Sequence, residues 1–130
     1  MSSTTKDIRN VALLGHGNCG KTSLAESMLF VTGAIDRMGK VSDGNTVCDY
    51  DAEEISRQIT IAASVAPITM GSSKINVLDC PGYFDFVGDA LCALRAVETG
   101  VIVLSARTLL RAWPWVPSVP GNISRTPAFP

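Results

Sequence analysis

Eight consecutive residues, Gly15-His16-Gly17-Asn18-Cys19-Gly20-Lys21-Thr22, spell G-x-x-x-x-G-K-T, and residues of those types at that spacing are suited to holding a polyphosphate. Glycines at both ends let the backbone curl around an anion so that successive N–H groups point inward. Lys21 adds a point charge for the β- and γ-phosphates, and the Thr22 hydroxyl is placed to ligate Mg2+. A helix starting at Lys21 would aim its positive dipole end at the same phosphates. A second motif, Asp79-Cys80-Pro81-Gly82, is a D-x-P-G turn. Asp79 suits the coordination shell of the metal, usually through water. Gly82 can bring a backbone N–H close to the γ-phosphate because no side chain intervenes. Alone, D-x-P-G is more often an ordinary turn; downstream of a phosphate loop it reads as the loop's acidic partner.

These motifs need elements to present them. Ile8 to Leu14 is a short apolar run that predicts a buried parallel strand, and Leu24, Met28 and Leu29 give helical spacing from about Lys21 to Thr32, where Gly33 can cap the end. Residues 34–57 lose the apolar period around Asp43-Gly44-Asn45 and the acidic group Asp49, Asp51, Glu53 and Glu54. So long a connection in a compact domain suggests a functional segment whose order depends on a ligand. Ile59, Ile61, Ala63 and Val65 alternate with Thr60, Ala62, Ser64 and Ala66, which predicts a half-buried strand. Gly71-Ser72-Ser73 is a turn and Lys74 to Leu78 a further strand, so the two strands form an antiparallel hairpin with Asp79 at its carboxyl end. Ligands of open α/β sheets bind at that end. Phe86, Val87, Ala90, Leu91, Leu94 and Val97 predict a second helix packed on the sheet, Gly100 its stop, and Val101 to Ala106 a third parallel strand. The expected fold class is α/β: a phosphate-loop nucleoside triphosphatase with an incomplete, mixed but mostly parallel sheet flanked by helices.

The 130 residues suit one domain, and a net charge of −1 with a mean hydropathy of +0.24 describes a soluble protein without the basic stripe of a direct DNA or RNA binder. No apolar run is long enough to span a bilayer, and the first residues lack the apolar core of a signal peptide, so the cytoplasm is the expected location. Nothing in the sequence calls for a homo-oligomer. The four cysteines, Cys19, Cys48, Cys80 and Cys92, form no C-x-x-C pair and read as reduced thiols.

With Arg9-Asn10 opening the first strand, G-H-G-N-C-G-K-T, R-Q-I-T-I at Arg57 to Ile61, and D-C-P-G-Y-F-D-F at Asp79 to Phe86, the chain resembles the translational GTPases. It is most similar to elongation factor G and its elongation-factor-G-like paralogues, in which tyrosine also follows the D-x-P-G turn. The likeness covers about residues 8–106. It implies a GTP-binding domain that binds GTP or GDP with Mg2+ and couples hydrolysis to movement on the ribosome, reached through domains outside this sequence. It implies that Gly15, His16, Gly17, Asn18, Cys19, Gly20, Lys21 and Thr22, with Asp79, Cys80, Pro81, Gly82 and Tyr83, hold the nucleotide, and that Thr22, Thr60 and Asp79 serve the metal. Residues 34–60 would be the first switch and 79 to about 90 the second, ordered by GTP and relaxed after hydrolysis. Lys21 and Tyr83 are the candidate catalytic positions. Tyr83 stands where elongation factor G has the histidine that orients the attacking water, and a phenol can donate a hydrogen bond but carries no positive charge. Gln58 and Cys80 also depart from the usual glycine and threonine. His16 reads as structural. Two other readings stay open: a non-catalytic phosphate-binding fragment with weak, unselective nucleotide binding, and a different phosphate-loop ATPase or kinase.

Three segments follow: a flexible lead-in at 1–7, a partial GTP-binding domain at 8–106 and an aberrant tail at 107–130. Both tryptophans and most prolines lie in that tail, which has no helical period, and N-K-x-D, the guanine-reading motif, is not in the sequence. Back-translated from Ala112 and read from the third base of each codon, the tail permits L-A-V-G-T-E-R-A-W-K-Y-L-K-D-T-R-L-P, an amphipathic string similar to the family's continuation. The expectation is a shifted reading frame; codons incompatible with that string would defeat it.

Overall fold

The computed structural model of the chain describes residues 4–105. The expected tail, 107–130, lies outside them. Four strands form one sheet in the order β2-β3-β1-β4: β1 Ile8–Leu14, β2 Ser64–Met70, β3 Ser73–Asp79 and β4 Thr99–Ile102. β1 runs parallel to β3, from Ile8 beside Lys74 to Leu13 beside Asp79, and parallel to β4, from Val11 beside Thr99 to Leu14 beside Ile102. β2 and β3 are the antiparallel hairpin, with Met70 opposite Ser73 across a tight Gly71-Ser72 turn. Gly71 supplies the positive φ, +60°, that this turn needs at its first position.

Because strand side chains alternate between faces, the central strands feed two cores. Leu13, Val77, Ala66 and Ile68 pack with Ala25 and Leu29 of helix α1, Lys21–Val31, together with Cys48. Ala12 and Cys80 pack on the other face with Ala93 of helix α3, Val87–Ala96, joined by Leu14, Leu78, Ala90 and Val97. Helices on both faces of a mainly parallel sheet are the expected α/β architecture. β1 and α1 lie where the sequence puts them, and α1 closes at Thr32 with Gly33 at φ +71°.

Three expectations are corrected. The strand expected from Ile59 runs instead from Ser64, and its inward side chains are Ser64, Ala66 and Ile68, while Val65 faces out. The reason is local: the amides of Ile61 and Ala62 are spent on the carboxylate of Glu54, at 2.9 and 3.1 Å, and so cannot join a ladder. Pro67 fits β2 because β2 is an edge strand, where a missing N–H costs no pairing. Second, a helix α2, Ala52–Arg57, lies inside the segment read as irregular, opened by a capping box between Asp51 and Glu54. Third, α3 ends at Ala96, ahead of Gly100, and β4 begins at Thr99. Glu98 makes that early exit by accepting from the backbone and side-chain amides of Asn10. The buried residue of α3 is Ala93, whereas Leu91 and Val87 are exposed.

Candidate functional site

The carboxyl ends of β1 and β3 lie side by side, with Leu13 in register with Asp79, so the two motifs that follow them converge. Between them is a cavity of about 230 Å3 lined by Gly17, Asn18, Gly20, Lys21, Thr22, Thr60, Gly82 and Tyr83 of the expected site residues, and by Ser23, Val41, Asp49, Gln58 and Ile59 besides. The loop and the turn are joined directly: the Gly17 amide donates to the Gly82 carbonyl at 3.1 Å. The fit leaves no room for side chains. A Cβ on Gly82 would lie 2.4 Å from the Lys21 ammonium and 2.6 Å from the Gly17 nitrogen.

Lys21 is buried at the start of α1, its Nζ donating to the carbonyls of Gly15 and His16 at 3.1 and 3.0 Å. Its third proton points to Cys19 Sγ, 3.9 Å away, the weakest of the three contacts and the one a ligand would displace. Gly20, in the left-handed region at φ +99°, precedes the helix, whose first-turn amides are open at the cavity.

Three elements meet on the side where the sequence places the metal residues. Thr22 of α1 and Thr60, which follows α2, have hydroxyl oxygens 3.1 Å apart, and Thr60 donates to the Asp49 carboxylate at 2.8 Å. Asp79 lies beneath them at the end of β3, 0% exposed, with neither carboxylate oxygen in a hydrogen bond. Burial pushes its pKa up from 3.8 to about 6; the Thr22 hydroxyl and the Lys21 charge nearby draw it partly back without closing a bond of good geometry. Burial also raises Asp49, against the hydrogen bond from Thr60. Buried carboxylates without partners are costly, and a cation is what would offset the cost. Among the described residues no three of His, Cys, Asp and Glu converge on a metal-sized site, so a divalent ion here would rest on the two threonine hydroxyls, ligand oxygens and the nearby carboxylates. That donor set, oxygen only, suits Mg2+.

The remaining expected residues sit around the cavity without lining it. Gly15 contributes its carbonyl to Lys21, and Cys19 is half-buried with Sγ 3.9 Å from Lys21 Nζ. Cys80, expected at the nucleotide, has its thiol toward Leu78 in the α3-side core, and burial pushes it up to about 11. Pro81 is buried in the turn. His16 is exposed, its ring 6.0 Å from that of Tyr83. The sequence reading missed Asp49 as part of the site and Glu54 and Glu26 as the anchors of the segment that carries it. Glu26 of α1, 0% exposed, accepts from the amides of Gly39 and Val47. The D-x-x-E spacing of Asp51 and Glu54 was the one signal available for α2. Among the described residues no helix is long and apolar enough to cross a membrane.

Comparisons with known proteins cover the same part of the chain. Residues 6–111 match the family model described as "Elongation factor Tu GTP binding domain". An elongation factor G-like protein of Mycobacterium tuberculosis is 40% identical over 99 residues, 76% of this chain and 14% of that protein. A mitochondrial ribosome-releasing factor 2 of Drosophila willistoni is 41% identical over 104 residues, 80% of this chain and 14% of its own length. A crystal structure of a Thermus thermophilus protein superposes with a TM-score of 0.75 at 42% identity, covering 77% of this chain and 15% of that one. The chain thus spans about a seventh of the relatives it matches. With a family match across most of its residues and the phosphate loop and D-x-P-G turn brought together at one sheet end, the chain belongs to the elongation factor Tu GTP-binding domain family.

Proposed function

We propose that residues 8–106 are the phosphate- and metal-binding part of an elongation-factor-G-like GTPase, which binds Mg–GTP and, in the whole protein, couples its hydrolysis to a conformational change on the ribosome in translocation or recycling. The observation that carries this is the convergence of Thr22, Thr60 and Asp49 above the unpartnered carboxylate of Asp79. Bound Mg2+ would neutralise charge on the β- and γ-phosphate oxygens. The chain's own residues do the rest. Lys21, held by Gly15 and His16, would turn the proton now on Cys19 Sγ to the phosphates. The open amides at the start of α1 face the same anion. Thr60 rides on the segment anchored by Glu54 and Glu26, so holding its hydroxyl holds that whole segment. Gly82, with room for no side chain, keeps the second turn within reach of the terminal phosphate. The relatives named for the elongation factor G-like and ribosome-releasing functions favour the ribosome as the partner.

Filter binding of radiolabelled GTP and ATP to the 130-residue chain, followed by GTP hydrolysis with and without ribosomes, tests this. Mg-dependent binding of both triphosphates is expected of this chain, in whose sequence N-K-x-D is not found, while GTP preference and ribosome-stimulated turnover are expected of the whole protein. Weak binding indifferent to Mg2+ would instead make the chain a non-catalytic phosphate binder, and a clear ATP preference would make it another phosphate-loop enzyme.

A further inference from the structure

Tyr83 is held by the phosphate loop on three sides. Its ring covers Gly17 so closely that a Cβ there would lie 2.6 Å from two ring carbons. The His16 ring flanks it, tilted by 57°. Its hydroxyl accepts from the Asn18 side-chain amide at 3.3 Å. Asn18 reaches it because its backbone is left-handed, at φ 59°, a conformation that asparagine tolerates better than most residues. Both side chains line the cavity, beside Lys21, Thr22 and Gly82.

The direction of that hydrogen bond sets the chemistry. A hydroxyl has one proton and two lone pairs. With the oxygen already accepting from Asn18, and with no protein acceptor for the phenol proton among the described residues, the proton is free to point into the cavity. We propose that Asn18 is a positioning residue for Tyr83, and that the pair presents the phenol O–H as a neutral donor to the terminal phosphate of a bound nucleoside triphosphate. Phosphates running in from the amides of α1 offer their last member to Gly82 and Tyr83, so the contact distinguishes a triphosphate from a diphosphate. Tyr83 is then a reader of the terminal phosphate. The inference rests on the nucleotide-binding reading above.

The test is calorimetric binding of GDP and of a non-hydrolysable GTP analogue, both with Mg2+, to the 130-residue chain, Tyr83→Phe, Asn18→Gly and the double variant. Glycine keeps the left-handed backbone while removing the amide. A hydrogen bond to a charged acceptor is worth about tenfold or more in affinity. Tyr83→Phe should weaken the triphosphate analogue by about tenfold and leave GDP within about twofold; Asn18→Gly should do the same to a smaller degree. The double variant should bind no worse than Tyr83→Phe, because Asn18 acts only through the phenol. Additive losses, equal losses for GDP, or no loss would overturn the proposal. Absence of any Mg-dependent nucleotide binding by the unsubstituted chain would remove the nucleotide-binding reading and this one together. Intact binding without coupling would remove this one alone. Circular dichroism melts check that each variant folds, and Tyr83→Phe, which deletes one oxygen, decides the outcome if Asn18→Gly melts early.

Discussion

Substituting Glu26 by glutamine should release the segment around residues 39–47 from α1 while leaving the sheet in place. The carboxylate is 0% exposed and accepts two backbone amides, Gly39 and Val47, one on each oxygen. Glutamine has the same shape but one of its two ends is a donor, so one amide keeps a neutral acceptor and the other meets an N–H. Hydrogen bonds to a charged group contribute about 1.5–3 kcal/mol, and an unsatisfied buried donor costs about 1–3 kcal/mol. The exchange should therefore cost roughly 3 kcal/mol, below the stability of about 5–15 kcal/mol usual for a domain. The residues between the two amides cannot easily compensate. A Cβ at Gly39 would lie 2.4 Å from the Asn45 carbonyl oxygen, and Lys40 donates to the Asn45 side chain at 2.7 Å, so the loop is closely packed. Amide hydrogen exchange by NMR is the assay. Protection at Gly39 and Val47 should fall about 100-fold while amides of β1 and β3 follow the smaller global loss. Asp49, two residues beyond Val47, should lose its place over Thr60, so Mg–triphosphate affinity should fall as well. Unchanged protection at both amides, with an unchanged urea midpoint, would refute the role of Glu26 as the anchor.

Other consequences follow from the same geometry. Asp79 titrates at about 6 in the fold against an ordinary 3.8, so the native state binds more protons across that window. Its contribution to stability is present below 3.8 and lost as pH rises through about 6, so urea unfolding should show weaker stability at pH 7.5 than at pH 5. Asp79→Asn should remove most of that slope and stabilise the metal-free chain at neutral pH by roughly 2–3 kcal/mol, at 1.36 kcal/mol per pKa unit, while abolishing Mg-dependent nucleotide binding; a slope unchanged in Asp79→Asn would count against it. Gly82→Ala should push the D-C-P-G turn off the loop, since its Cβ would lie 2.6 Å from backbone atoms of His16 and Gly17, and calorimetry should show at least about a tenfold loss of triphosphate affinity, one lost charge-assisted contact. Cys92 is exposed and should alkylate readily at pH 8, whereas Cys48, pushed up to about 12 by burial, and Cys80, up to about 11, should react only on unfolding; early labelling of either, read by mass spectrometry, would contradict their burial.

What the sequence made legible was whatever local chemistry dictates. Glycine spacing with a lysine and threonine defines the phosphate loop, and the apolar run before it is β1. The Gly71 turn placed the hairpin, and Asp79 falls at the carboxyl end of β3 as expected. The buried carboxylates were hidden. Asp49 and Glu54 stand in a polar stretch where an acid ordinarily faces solvent, Glu26 is a lone acid among the apolar residues of α1, and only the fold reveals that backbone amides and a threonine hydroxyl satisfy them. The same interactions misled the strand assignment: Ile59 to Ala63 alternate as a strand would, but Glu54 takes the amides of Ile61 and Ala62 and turns Thr60 to the cavity. Gln58 is a related case. It sits at φ 55° as the C-cap of α2, a position that glycine fills without strain, so a side chain there is a local cost borne next to the site. At the far edge Val101 and Ile102 of β4, which point to opposite faces, are both exposed, where a continuous apolar run predicts burial.

The central claim is that loop, turn and first switch segment make one Mg–triphosphate site. Isothermal titration of a non-hydrolysable GTP analogue into the chain, with Mg2+, with EDTA, and with Lys21→Ala, tests it most directly. The account predicts binding with Mg2+ that is lost in EDTA and weakened at least about 100-fold by Lys21→Ala, the loss of a buried charge-assisted contact. Binding indifferent to both Mg2+ and Lys21, or no binding at all, would contradict it.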